Sequence, residues 1–329
     1  HFSVGSTITS EGPVVALSNP ATGAVLNMCD ASGGEELSDV ARAHYASSSP
    51  CGLYRPGVTD SSAQDSLLST LQRRLDTHQA QACSGPQGDG AVTVACLEAA
   101  LRAVSSGTAA GRDGLPFEVY KRLWHLLAEP LCAALNDVFA RGAAAAGDEW
   151  AEGVIVPVYK GKGLPRDNLA SYRPITLLNC DYKLCARLIS DRLQEPLEYL
   201  VDVNQSAFLQ TRWIGDNVLL QQLWPEFLAA SQLPGVVLLL DVEKAYDKVD
   251  RGWIYRCAES MGLPPSLIVW LHRLIDGTQA RVCVNGWVTD AFAVETGVPQ
   301  GSPLSPLLWV MQLQPLASAL QVQQREGRI

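Results

Sequence analysis

The spacing of apolar and polar positions changes character near residue 111. Before it, Ser, Gly, Ala and Pro are frequent and no periodicity is sustained, and clusters such as Ser47-Ser48-Ser49-Pro50 and Gly85-Pro86-Gln87-Gly88-Asp89-Gly90 mark loops. Two stretches stand out, where i, i+3/i+4 spacing predicts helices over 61–81 and 94–104. From Gly111-Arg112-Asp113-Gly114-Leu115-Pro116 onward the pattern is regular. A turn leads into an amphipathic helix through Val119, Leu123, Leu126 and Leu127, and a second helix covers 131–139 before an Ala/Gly-rich linker. Residues 153–160 read as a strand, Gly161-Lys162-Gly163 as a tight turn, and 172–178 as the returning strand. Helices follow over 181–200, with Leu184, Leu188, Leu193 and Leu197 as its apolar stripe, and over 215–230, 251–261 and 266–276. Asn285-Gly286 inside 280–288 is a strong hairpin signal.

One segment departs from both periods. Val236-Val237-Leu238-Leu239-Leu240 has no polar alternation, which suits a short strand buried on both faces, and four acidic residues follow within ten positions, Asp241, Glu243, Asp247 and Asp250. Asp241 either fixes a metal at a strand end or merely ends a core strand. Asp247 and Asp250 are suited to capping the helix that begins near Trp253. A second unusual segment is Gly297-Val298-Pro299-Gln300-Gly301-Ser302-Pro303-Leu304-Ser305-Pro306. Pro299 and Gly301 make a rigid bend with little side chain in the way, which leaves backbone and the Gln300 amide open to close approach, and Ser302 and Ser305 can cap the next helix.

The 329 residues are 47% apolar and 18% charged, which places the chain among globular proteins large enough for two domains. No apolar run approaches a membrane span, and the His1-Phe2-Ser3 start lacks both a signal-like core and an initiator Met, so a fragment is expected. Nine cysteines without a Cys-x-x-Cys pair read as reduced core residues of an intracellular protein, with nucleus and cytoplasm left open. The net charge of −9 disfavours a general nucleic-acid binder, but charge is unevenly spread. Residues 1–110 hold 5 Lys+Arg against 10 Asp+Glu, whereas residues 156–192 hold 7 against 3. A basic patch of that size can hold a phosphate backbone, or be a solvated face.

Asp241-Val242-Glu243-Lys244-Ala245-Tyr246-Asp247 resembles the first carboxylate motif of reverse transcriptases, in the form found in non-LTR (LINE-like) retrotransposons and group II intron enzymes. The 297–306 loop is similar to their second palm motif. Gly111 to Pro116 resembles the segment before their fingers, and Asn204-Gln205-Ser206-Ala207-Phe208 their Gln-x-x-Phe segment. The resemblance implies an α+β fold of right-hand polymerase type. A poorly ordered or helical N-terminal extension (1–110) and a helical segment (111–149) would precede fingers (150–230) and a partial palm (231–329). It implies RNA-directed DNA synthesis by two-metal nucleotidyl transfer, with two Mg²⁺ ions, an RNA template, a DNA primer, deoxynucleotide triphosphates and no membrane. By the same resemblance Asp241 and the Val242 carbonyl are metal ligands, Lys160 and Arg173 grip the triphosphate, Tyr246 lies under the sugar, and Gln300 and Gly301 border the nucleotide. The family's aromatic-x-Asp-Asp motif is missing, so truncation just before it and little synthesis by the chain alone are expected. A polymerase relic or maturase-like RNA-binding protein is the alternative.

Overall fold

The computed structural model describes residues 16–18, 25–27, 33–49, 52–147, 149–161, 163–232 and 234–328. Strands β1 (Ala16–Ser18) and β2 (Val25–Asn27) pair antiparallel and precede helix α1 (Gly33–Tyr45). Helices α2 (Ser61–Ser69) and α3 (Thr77–Cys83) stand where one continuous helix was expected. The break has one distant and one local cause: Leu75 N–H is bonded to Met261 O at 2.9 Å, and Asp76 starts α3 through a capping box with Gln79. Helix α4 (Val94–Ala103) matches its expectation, capped by Thr93. The segment expected to be poorly ordered or helical carries four helices among its described residues.

The next pair is divided differently from the prediction. Helix α5 (Phe117–Arg122) is a short turn, and α6 (Trp124–Arg141) runs through Pro130 without ending. The fault lies at Leu123 (φ −103°, ψ 17°) and not beside the proline. Helices α7 (Cys180–Leu200), α8 (Ile214–Ala230), α9 (Arg251–Ser260), α10 (Pro265–Ile275) and α11 (Ser305–Arg325) complete the helical part. The inward stripes of α7, α9, α10 and α11, joined by those of α4 and α6, build the main core, with Leu97, Leu135, Leu184, Leu193, Ile254, Trp270 and Met311 buried together.

The sheet runs in the order β4-β3-β5-β6, with β7 also paired to β5. Strand β3 (Gly153–Tyr159) pairs antiparallel with β4 (Tyr172–Leu177), and parallel with β5 (Gln279–Val284). The expected tight turn at 161–163 includes Lys162, outside the described residues; before β4 the described residues hold a short 3₁₀ turn at Leu169–Ser171. Strand β5 folds back to β6 (Trp287–Val288) across Asn285-Gly286, both at positive φ (51° and 90°), while β7 (Phe292–Ala293) closes the edge. Helix α1 lies on this sheet, and Leu37, Val40, Ala41 and Tyr45 form a second core with Ile155, Val282 and Val284.

The apolar run at 236–240 is the largest departure from expectation. It forms no strand, and its side chains are exposed, Val236 at 92%, Leu238 at 74% and Leu240 at 78%. A strand needs a neighbour for its N–H and C=O groups. The sheet present is assembled from 153–177 and 279–293, and among the described residues no strand runs beside 236–240. Helix α8 is also without a buried residue, with Leu220, Leu223, Trp224 and Phe227 exposed.

Candidate nucleotide-binding site

Three segments far apart in sequence interlock. The 297–306 loop is fastened to the acidic segment by Gly297 N–H to Val249 O and Val298 N–H to Tyr246 O, both 2.8 Å, and to β4 by Thr176 N–H to Gln300 O at 2.8 Å. Arg251, buried, donates from Nε to Gly297 O at 2.9 Å and from Nη2 to Thr278 Oγ1 at 3.1 Å, tying the loop to the start of α9. Gly301 adopts φ 146°, and a Cβ there would lie 2.3 Å from Thr176 O. A Cβ on Gly297 would lie 2.5 Å from Asp247 O. Contacts this close require that neither position carry a side chain. Neither serine caps α11 as expected: Ser305 Oγ donates to Pro299 O at 2.8 Å, and Ser302 Oγ accepts from Leu304 N at 3.3 Å, just before the helix.

This junction forms one wall of a cavity of about 310 Å³ lined by Lys160, Arg173, Asp241, Val242, Asp247 and Gln300, with the end of α1 on another side. Lys160 follows β3, its Nζ donating to Ala170 O at 2.7 Å, and Arg173 sits on β4 across from Val158. Both are exposed, and Arg173 has no ion pair among the described residues. Asp241 is also exposed, in irregular chain instead of at a strand end. Of the other expected site residues, Tyr246 leans its ring on Trp309 of α11, centroids 6.0 Å apart, and does not line the cavity. Gly301 is pressed against β4 and does not line it either. Lys162 lies outside the described residues.

Asp247 is the residue that sequence reasoning misplaced. Asp250 does cap α9, accepting from Trp253 N at 3.3 Å, but Asp247 faces the cavity with only 3% of its surface exposed. Burial pushes its carboxyl up to about 6, opposed by the Gln300 hydrogen bond and by Lys244, Lys160 and Lys248. Gln300 Nε2 donates to both carboxylate oxygens at 2.8 Å. The available signal was redundancy: a helix needs one capping acid, and Asp250 stands nearest to its first turn.

Several polar side chains outside the cavity are engaged in contacts of their own. Asp113 Oδ1 accepts from Leu115 N at 3.0 Å in a local turn. Arg187 pairs with Asp191, and Arg192 donates to Gly90 O and Ala91 O at 3.0 and 2.8 Å, so neither is a free cation of α7. Arg212 binds the carbonyls of Glu198 and Gln205, at 3.0 and 3.1 Å.

A divalent ion of the kind polymerases use takes about six oxygen ligands. Among the described residues no three His, Cys, Asp or Glu side chains converge, and Asp241 with the Val242 carbonyl falls short of a metal cage. The residues present do not fit a complete two-ion centre.

Residues 160–326 match the family described as reverse transcriptase (RNA-dependent DNA polymerase). The chain is 29% identical over 229 residues to the transposon TX1 uncharacterized 149 kDa protein of Xenopus laevis, covering 70% of this chain and 17% of that protein. It is 26% identical over 149 residues to the Pol polyprotein from the type-2 retrotransposable element R2DM of Drosophila melanogaster, covering 45% and 14%. Against the RNA-directed DNA polymerase from the Drosophila melanogaster mobile element jockey it is 28% identical over 163 residues, covering 49% and 18%. The chain therefore spans less than a fifth of each of these relatives. The matched region holds Lys160, Arg173, Asp241 and Gln300, all on one cavity, and the chain belongs to the reverse transcriptase family.

Proposed function

We propose that this chain is the nucleotide-binding part of an RNA-directed DNA polymerase from a non-LTR, LINE-like retroelement, with 150–230 serving as fingers and 231–329 as part of a palm. The observation that carries it is the convergence of Lys160, Arg173, Asp241 and Gln300, from four separate segments, on one cavity. Arg173 offers a planar fork that can make two hydrogen bonds to phosphate, and Lys160 adds a point charge, so together they hold the triphosphate of an incoming deoxynucleotide. Gln300 gives its amide N–H groups to Asp247, which leaves its carbonyl oxygen to face the nucleotide. Tyr246, packed on Trp309, stiffens the floor beside it, and Gly301 sets the distance between loop and β4.

Asp241 and the Val242 carbonyl are the groups this chain would offer to Mg²⁺, as part of a centre whose other ligands are not among its described residues. RNA template and DNA primer are the partners. We place the protein inside the cell, in keeping with seven described cysteines that are all unpaired.

Equilibrium titration with a fluorescent deoxynucleoside triphosphate in Mg²⁺ tests this reading. Saturable binding that weakens about tenfold in Arg173→Ala is expected, on the scale of one charged hydrogen-bonding partner. Absence of saturable binding by the unsubstituted protein, or binding indifferent to Arg173→Ala, would overturn it.

A further inference from the structure

Asp247 occupies an unfavourable position for a carboxylate. It is buried, yet among the described residues it makes no ion pair, and its side chain meets a single donor, Gln300 Nε2. Lys244, Lys160 and Lys248 favour its charge without bonding to it. A neutral amide of the same shape would be buried there at lower cost, because burial penalises the charged form. What the charged group adds is direction.

An ionised carboxylate accepts hydrogen bonds and cannot donate one. The Gln300 amide has a donor end and an acceptor end of nearly equal shape, so a neutral neighbour such as an asparagine could pair with either. Against Asp247 one orientation survives, with Nε2 at 2.8 Å from both carboxylate oxygens and the carbonyl oxygen turned away from them. The main chain keeps the two residues face to face. Val298 N–H on Tyr246 O and Gly297 N–H on Val249 O bracket Asp247, while Gln300 O accepts from Thr176 N–H, all at 2.8 Å. Gln300 is the less buried of the pair, and both line the cavity.

We propose that Asp247 is a positioning residue of the nucleotide site, whose carboxylate fixes the Gln300 amide with its nitrogen withdrawn and its carbonyl oxygen left for a hydrogen-bond donor on the bound nucleotide. The proposal rests on the nucleotide-binding reading above, in which Gln300 borders the nucleotide. Asp247 itself touches no ligand and acts through Gln300, from a position where the sequence predicts only a helix cap.

The test is the same fluorescent-nucleotide titration, run at about pH 8, where Asp247 is ionised, on the unsubstituted protein, Asp247→Asn, Gln300→Ala and the double variant. Urea unfolding without nucleotide accompanies each. Asparagine keeps the shape of Asp247 but can donate to the Gln300 carbonyl, so both amide orientations become available. Asp247→Asn should weaken the nucleotide roughly three- to tenfold, the scale of one neutral hydrogen bond, and keep a cooperative urea transition. The double variant should bind as Gln300→Ala does, because a positioning residue then has nothing to position, whereas independent structural effects would multiply. Asp247→Ala is carried through the same cycle with the same expectation, so that the result does not depend on one replacement folding. Unchanged affinity on replacing Asp247, or losses that multiply in the double variant, would overturn the proposal. Failure of the underlying reading looks different, and the proposal would fall with it: the unsubstituted protein would show no saturable binding, or Gln300→Ala would bind as tightly as the unsubstituted protein.

Discussion

Asp247 shows how burial and pairing give one carboxylate a role that its neighbours lack. It titrates near 6 in the folded protein against 3.8 as an ordinary aspartate, so between these values the native state holds more protons than the unfolded one, and stability falls as pH rises through the window. Asp181 acts in the same direction, and His44, held near 4 instead of 6.5, in the opposite one. Comparing Asp247→Asn with the unsubstituted protein cancels those shared contributions. Urea midpoints should show the variant gaining stability relative to wild type from about pH 4 to about pH 7; a constant gap would mean that Asp247 titrates alike in both states. Gly301 makes a second residue-scale prediction. With φ 146° and a would-be Cβ 2.3 Å from Thr176 O, Gly301→Ala should cost about 2 kcal/mol or more in urea unfolding. Lys160, Arg173, Asp241 and Gln300 could be singled out in the sequence because each sits in a motif with fixed neighbours, and the fold brings all four to one cavity. Asp247 was not, because its role comes from a partner 53 positions away.

At the scale of elements, β3, β4, β5 and β6 were legible, whereas the paired strands β1, β2 and β7 were not expected and the run at 236–240, which was, forms no strand. The Asn285-Gly286 hairpin and the β3–β4 pair follow from turn chemistry and alternation that are local to each. The run at 236–240 has the composition of a buried strand, but strand formation needs an edge to join, which composition cannot supply. Hydrogen exchange by mass spectrometry should find the amides of 236–240 exchanging near the free-chain rate while those of β3 are protected. Protection of both segments alike would contradict the absence of a ladder there. Helix ends were misread for a related reason: the break between α2 and α3 depends on the distant Met261 carbonyl, and α6 absorbs Pro130. Arg192 is a strut for the 84–91 loop, which also receives Trp270 Nε1 on Gly90 O at 2.7 Å. Arg192→Ala should lower stability by about 1–3 kcal/mol in urea without changing nucleotide affinity.

The whole molecule is organised so that separate layers meet at the cavity: α1 and the sheet on one side, the 241–250 and 297–306 loops on the other. The mixed α and β character was legible, as was the basic bias of 156–192. The architecture of the first hundred residues was not, because short helices such as α1 and α3 owe their stability to the surfaces they cover. Burial on this scale also protects the thiols. Cys257 is pushed up to about 12, and Cys83 and Cys180 to about 11, all chiefly by burial, so these three should label with a thiol reagent only after unfolding.

The most direct test of the central claim is primer extension on an RNA template with Mg²⁺ and deoxynucleotides, using the product of the reading frame that encodes this chain, beside Asp241→Asn and Arg173→Ala. The account predicts extension by the unsubstituted protein, its abolition in Asp241→Asn, and a raised nucleotide KM in Arg173→Ala. A protein that binds RNA but extends no primer, or one whose extension is indifferent to both substitutions, would contradict it.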